Sequence, residues 1–206
     1  MVVRVALTSC GDVGAADVLR RGVQRAGSGA AWATTQLWTA SRRTSRSTGF
    51  WTTARTSGKR STKRETGPKP LTTDALFKGK TVALFAVPGA FTPTCSAKHL
   101  PGFKQRAHEI RDKGIDLIAC VSVNDVFVMK AWGEAQGVGD DILMLADGNG
   151  TFTKAIGLEL DGSRFGLGQR SQRYSMIVKD GVVKELNVEQ GGEYRVSSAE
   201  YMLEQL

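Results

Sequence analysis

The stretch VALFAVPGAFTPTCSAKHLPGF, Val82 to Phe103, decides the reading of this chain. It lies in a run without charge from Thr81 to Ala97, and Cys95 is the only cysteine in it. TVALFAVP (81–88) has the β-branched and aromatic content of a buried strand and closes on a Pro-Gly turn. Pro93 suits the first position of a helix, where its missing N–H would be unpaired anyway. A helix is therefore expected over 93–114, kinked at Pro101 and stopped at Gly114, with Thr92 as its N-cap. Cys95 falls in the first turn, where free N–H groups and the positive end of the helix dipole favour a thiolate.

An ordinary thiol titrates near about 8.5, and lowering that by about 2.5 units takes roughly 3.4 kcal/mol. A helix terminus supplies only about 0.3–1 kcal/mol. A reactive cysteine here therefore needs a cation beside it. The residues alone leave two readings open. Lone cysteines in apolar runs are commonly core, whereas open α/β sheets place their sites at the carboxyl ends of strands, where Cys95 sits.

Working outward, IDLIACVSV (115–123) reads as a second buried strand, DVFVMKAWGEAQG (125–137) as a helix and ILMLAD (142–147) as a third strand. GTFTKAIGL (150–158) reads as a short helix. YSMIVKDGVVKELNV (174–188) is a hairpin turning at Asp180-Gly181. SSAEYMLEQL (197–206) is a terminal helix capped by Ser197 or Ser198. Strand and helix alternate, then a hairpin and a helix follow. That order gives an α/β fold with a central mixed sheet flanked by helices. Cys120 lies mid-strand, which suits a buried thiol. His99 shares a helix face with Cys95, as a structural residue or a base. The pair is too small for a zinc site. GLG (166–168) follows no strand and reads as a loop rather than a phosphate cradle.

The chain of 206 residues carries a formal net charge of +8, but unevenly. Residues 1–70 hold thirteen Lys and Arg against three Asp and Glu, and 71–206 hold fifteen against seventeen. The basic pI therefore says little about what the folded part binds. The first seventy residues are rich in Arg, Ser and Thr (SRRTSRSTGFWTTARTSGKRSTKRET, 41–66) and hold neither strand nor helix periodicity for long. They read as a disordered basic extension, and 71–206 as the domain. A transit peptide, a basic nucleic-acid or membrane arm and a misassigned exon are the readings of that extension. The charge-free run is too short and too broken by Pro and Gly for a membrane span. Three cysteines (Cys10, Cys95, Cys120) without a Cys-x-x-Cys pair fit a reducing compartment and disfavour dithiol reductase chemistry.

PGAFTPTC (88–95) resembles the peroxiredoxin active-site pattern Pro-x-x-x-Thr-x-x-Cys, here Pro88, Thr92 and Cys95. IACVSVNDVFVMKAW, LADGNGTFTKAIGLELD, GLGQRSQRYSMIV and GGEYRVSSAEYMLEQL resemble the type II, or peroxiredoxin-five-like, subfamily in its plant-like branch. The resemblance covers about 71–206. It implies a thioredoxin-like fold and a thiol peroxidase acting on hydrogen peroxide and alkyl hydroperoxides in redox homeostasis, with no metal, haem or flavin cofactor. Cys95 would be the peroxidatic nucleophile, with Thr92 placing its hydroxyl beside the peroxide and Pro88 shielding the thiol from water. Arg173 would be the required cation, with Arg170 as the other candidate.

Cys120 matches a cysteine sometimes considered a resolving partner in the plant-like branch. The animal pattern of a cysteine near the C-terminus is absent from EYRVSSAEY (193–201). A helix start and a mid-strand position are expected to keep the sulfurs of Cys95 and Cys120 apart, since bridging needs Cα atoms within about 7 Å. Packing of Phe91 and Leu100 is expected to oppose unwinding. A one-cysteine cycle reduced by glutathione with glutaredoxin, or by thioredoxin, is therefore expected. A homodimer follows from the same resemblance; no nucleic-acid or membrane partner is expected, and a cytoplasmic location is expected, with mitochondrion or plastid as the alternative if 1–70 is a transit peptide. The family's opening hairpin is not visible upstream of GPKPLTT (67–73), and if the first exon is misassigned an edge hairpin is expected to be missing. The rival reading is a redox-inactive thioredoxin-like interaction module with a basic nucleic-acid-binding arm.

Overall fold

The computed structural model describes residues 49–53 and 67–206. The chain enters the sheet with β1 (Gly49–Thr52) and β2 (Lys69–Thr72), which pair antiparallel from Gly49↔Thr72 to Thr52↔Lys69. A short helix α1 (Thr73–Phe77) follows, capped by the Thr72 hydroxyl, which accepts from Ala75 N–H. Next come β3 (Thr81–Ala86), a π-helical turn (Cys95–His99), and helices α2 (Leu100–Gln105) and α3 (Ala107–Asp112). Then follow β4 (Leu117–Ser122), α4 (Val126–Gln136), β5 (Leu143–Ala146) and α5 (Thr151–Ala155). The chain closes with β6 (Glu159–Asp161), β7 (Gln169–Ser171), β8 (Tyr174–Lys179), β9 (Val182–Val188) and α6 (Ala199–Gln205).

Seven strands form one sheet in the order β2-β1-β5-β4-β3-β8-β9. β3, β4 and β5 run parallel, and the outer pairs are antiparallel. This is the mixed sheet with flanking helices that the sequence implied. β6 and β7 make a separate two-stranded ribbon that the sequence patterns did not signal, being three residues each.

The alternation of side chains along the central strands builds two cores. Ala83, Phe85 and Val87 face one way with Ile118 and Cys120, against Cys95, Leu100, Phe103, Trp132 and Met202. Val82, Leu84 and Ala86 face the other way with Ala119 and Val121, against Phe50, Phe77, Phe152 and Tyr174. Burial on both faces explains why these strands read as continuous apolar runs.

Several expectations need correction. The domain does not begin at Leu71: Gly49–Thr52, Lys69 and Pro70 are strand residues, and Phe50 is buried against Phe152 at 4.5 Å between ring centroids. An edge pair is therefore present. Its sequence escapes the strand pattern because only Phe50 and Thr52 turn inward within a basic, Thr-rich text. Expectations for residues 1–48 and 54–66 lie outside the described residues.

The helix over 93–114 is not uniform either. Leu100 N–H bonds Cys95 C=O in a five-residue turn just before Pro101. Pro101 has no N–H to give and its ring would crowd the carbonyl of Ala97, so the widened turn relieves the conflict. A second interruption falls at Arg106 (φ −102°, ψ 13°), which the sequence does not mark. Ser198, not Ser197, caps α6 by accepting from Tyr201 N–H. The Asp180-Gly181 turn is as expected, both residues having the positive φ (49° and 74°) of a two-residue hairpin.

Candidate active site

β3 delivers Pro88–Thr92 and then Cys95 at the carboxyl end of the sheet. Antiparallel pairing of Ala86 with Tyr174 brings Arg173, the residue just before β8, to the same end. The topology thus joins two residues 78 positions apart: Arg173 Nη1 lies 3.5 Å from Cys95 Sγ, and both are buried. The same Nη1 is 3.1 Å from His99 Nδ1. His99 Nε2 is 3.0 Å from the carbonyl of Ser197. A carbonyl only accepts, so Nε2 carries the proton and Nδ1 offers its lone pair to Arg173. Burial first, and the neighbouring Arg173 second, push the His99 pKa down to about 3, against a raising effect of the Ser197 bond. The imidazole is therefore neutral at physiological pH, an acceptor that aims the guanidinium rather than a charged base.

Arg170 is not at the thiol. Its guanidinium donates to Leu167 C=O at 2.7 Å and Val123 C=O at 2.8 Å, tying the loop after β6 to the end of β4. Thr92 precedes the helical turn, but its hydroxyl donates to Gly89 C=O at 2.8 Å instead of capping. One hydroxyl has one proton, so Thr92 has only lone pairs left to offer a ligand. Phe91 is held at φ 62° and is 56% exposed, so it does not pack as expected, whereas Leu100 is fully buried. The strained Phe91 conformation is sustained by its neighbours: Ala90 N–H donates to Asn124 Oδ1 at 3.0 Å, and Ser122 Oγ–H donates to the same oxygen at 2.7 Å.

Cys95 and Cys120 are both free, and they share one apolar cluster. Burial, then the charge of Cys95, push the Cys120 thiol well up. Trp132, wholly buried, donates its indole N–H to Ser96 Oγ at 3.0 Å, bracing the turn that carries Cys95. Sequence reasoning missed Asn124, Glu189 and Ser197, because each acts through a contact between distant segments. His99 was visible only as a residue on the right helix face.

A thiol held beside a guanidinium at the carboxyl end of a thioredoxin-like sheet defines a class of thiol redox proteins. The Redoxin family pattern matches residues 53–203. Peroxiredoxin-2E, chloroplastic, of Arabidopsis thaliana is 56% identical over 140 residues, which are 67% of this chain and 60% of that protein. Peroxiredoxin-2B of the same plant is 52% identical over 132 residues, covering 64% of this chain and 82% of the relative. Among solved structures, reduced Prx3 of Vibrio vulnificus in complex with hydrogen peroxide superposes with a TM-score of 0.69 at 52% identity, covering 76% of this chain and 92% of that one. This chain belongs to the Redoxin family, among the peroxiredoxins. The match spans less than two thirds of the chloroplastic relatives' own length, 60% in Arabidopsis thaliana and 63% in Oryza sativa subsp. japonica.

Proposed function

We propose that this chain is a thiol peroxidase that reduces hydrogen peroxide and small alkyl hydroperoxides at Cys95. The observation that carries the reading is the Arg173 guanidinium 3.5 Å from Cys95 Sγ. It is the cation that a helix start alone cannot replace, and it serves twice. It stabilises the attacking thiolate, and it stabilises negative charge as it grows on the leaving oxygen. Arg173 Nε has no hydrogen-bond partner among the described residues, so a donor of the same guanidinium remains for a peroxide oxygen. Thr92 Oγ1, its proton committed to Gly89, accepts from the peroxide O–H. Pro88 offers no N–H and lines the approach without competing for the thiolate. The thiolate attacks one peroxide oxygen, the O–O bond breaks, Cys95 becomes the sulfenic acid, and the other oxygen leaves as hydroxide or alkoxide and takes a proton to become water or alcohol.

Turnover follows a one-cysteine route in this reading. Cys120 is a poor attacking thiol because burial keeps it protonated. An external thiol such as glutathione condenses with the sulfenic acid to a mixed disulfide and water. A second thiol, delivered by glutaredoxin, releases Cys95 as the thiol and carries off the oxidised disulfide; thioredoxin is the alternative reductant. The working unit is proposed as a homodimer. Two relatives bear the word chloroplastic in their names, and residues 1–48 are rich in Arg, Ser and Thr and poor in acids. Plastid delivery therefore replaces the cytoplasm as the proposed location.

The test is direct. Peroxide added to the reduced chain should give one sulfenate per chain at Cys95, and Cys95→Ser should consume no peroxide. A Cys95→Ser protein with undiminished consumption ends the reading and returns the redox-inactive interaction module to contention.

A further inference from the structure

The segment between β9 and α6, residues 189–198, runs back over the buried side of the site, and one carboxylate organises it. Glu189 is only 7% exposed. Its Oε1 accepts three hydrogen bonds: from Arg195 N–H at 2.6 Å, from Ser197 N–H at 2.8 Å and from Ser197 Oγ–H at 2.8 Å. Its own N–H donates to the carbonyl of Arg173 at 2.9 Å. Three donors meeting on one oxygen fix the path of residues 195–197, and with it the direction of the Ser197 carbonyl. That carbonyl accepts the Nε2 proton of His99 at 3.0 Å.

The tautomer of His99 then decides what Arg173 meets. With the proton on Nε2, Nδ1 is a lone pair and receives Arg173 Nη1 at 3.1 Å. With the proton on Nδ1, an N–H would face the guanidinium, donor against donor, and the arginine would be turned away from Cys95. The ring has little freedom to escape this choice. It sits between Phe85, Phe103 and Tyr194 at centroid distances of 4.9, 5.7 and 5.1 Å. It also stays neutral, its pKa lowered to about 3 by burial and Arg173, so the tautomer alone is left to set the contact.

We infer that Glu189 is a positioning residue for peroxide reduction: by clasping Ser197 it selects the Nε2–H tautomer of His99, and so aims the Arg173 guanidinium at Cys95. The inference rests on the peroxidase reading for its consequence, but the clasp, the tautomer and the arginine contact stand apart from it. Glu189 touches neither the thiol nor the peroxide. It acts through three residues, and it couples the chain after β9 to the reactivity of a cysteine nearly a hundred positions earlier.

Glu189→Ala and Glu189→Gln in the full chain separate geometry from charge, because a glutamine Oε1 can accept the same three bonds. Two readouts are taken: the second-order rate of Cys95 sulfenate formation with hydrogen peroxide, and the nitrogen NMR signature that tells which ring nitrogen of His99 is protonated. The chain has two histidines, so a His108→Gln control assigns the signal. Glu189→Ala should lower the rate about 10- to 100-fold, the scale of a lost buried hydrogen bond to a charged group, and should show mixed tautomers. Glu189→Gln should stay within about threefold of the parent, a difference below one kcal/mol by the same constant, and keep Nε2–H.

If Glu189→Ala does not fold, Glu189→Asp, one methylene too short to hold all three donors, should give an intermediate loss and mixed tautomers. A folded Glu189→Ala or Glu189→Asp chain with unchanged rate overturns the inference. So does a slower chain in which His99 stays wholly Nε2–H, since the effect would then be structural only. Glutamine failing as badly as alanine overturns it as well. The tautomer is read without peroxide, so a failure of the peroxidase reading looks different: the parent chain itself is inert to peroxide.

Discussion

Removing Arg173 should cripple the reaction while leaving the fold in place. The guanidinium and the sulfur are 3.5 Å apart in a buried site. At an effective dielectric of about 20, two unit charges at that distance attract by about 4.7 kcal/mol. Arg173→Ala opens space that water can enter, and full screening by that water would reduce the loss to roughly half, which sets the lower bound. The rate of sulfenate formation should then fall between about 50-fold and about 3,000-fold, taking 1.36 kcal/mol per tenfold. Arg170→Ala should change it by less than about threefold, because its charge is spent on Leu167 and Val123 carbonyls and the remaining electrostatic effect at Cys95 is screened. Stopped-flow tryptophan fluorescence is a suitable assay, since Trp132 is bonded to Ser96, the neighbour of Cys95. A Trp132→Phe control isolates its signal from the other three tryptophans. If Arg173→Ala keeps its rate while Arg170→Ala loses it, the electrostatic argument is wrong.

Three further outcomes are expected. His99 has a folded pKa near 3 against 6.5 unfolded, so below about pH 6.5 the unfolded chain binds a proton that the native chain refuses. The stability due to neutral His99 is full above that pH and falls by about 1.4 kcal/mol per pH unit toward pH 3. Urea melts at pH 6.5, 5.5 and 4.5 should show this slope in the parent and a shallower one in His99→Asn; equal slopes refute it. Cys120→Ser should keep most of the peroxidase activity in a glutaredoxin-coupled assay, and a Cys95–Cys120 disulfide in the peroxide-treated parent, together with loss of activity in the variant, would refute the one-cysteine cycle. Phe50→Ala should cost about 3–5 kcal/mol by emptying a core position, and a chain begun at Leu71 should melt well below one begun at Gly49. Equal melting would mean that β1 and β2 contribute nothing to the domain.

What the sequence revealed, and what it withheld, divides along a physical line. The central strands were legible because burial on both faces makes them apolar throughout, as in Val82–Val87 and Ile118–Val121. Cys95 was legible as a thiol at a strand-to-helix turn, whereas the roles of Thr92 and Pro88 came from the resemblance, and the expected N-cap at Thr92 is absent because its hydroxyl donates to Gly89. Arg173 came from the resemblance, and no local pattern separates it from Arg170; only the pairing of Ala86 with Tyr174 does so. β1 was missed because four residues with two inward side chains make too short a period to stand out from the basic text around it. Glu189 and Ser197 were illegible for a deeper reason. Their roles lie in a carbonyl direction and a shared carboxylate oxygen, which depend on where the backbone goes and leave no mark in composition.

The proposed reaction sets a reactive thiol inside a core, and the arrangement around Cys95 differs from that around Cys120 in one respect. Burial alone would hold a cysteine protonated, as it does Cys120. At Cys95 the buried sulfur instead lies 3.5 Å from a guanidinium whose position is fixed from two sides, by the strand pairing of β8 and by the imidazole of His99. The imidazole is suited to that task because it is buried enough to refuse a proton, and a charged histidine would repel the guanidinium it now receives. Fixing the arginine in advance matters for the rate as well as for the ground state. In the proposed reaction, the charge that develops on the leaving oxygen would meet a donor already in place, with no reorganisation needed at the moment of O–O cleavage.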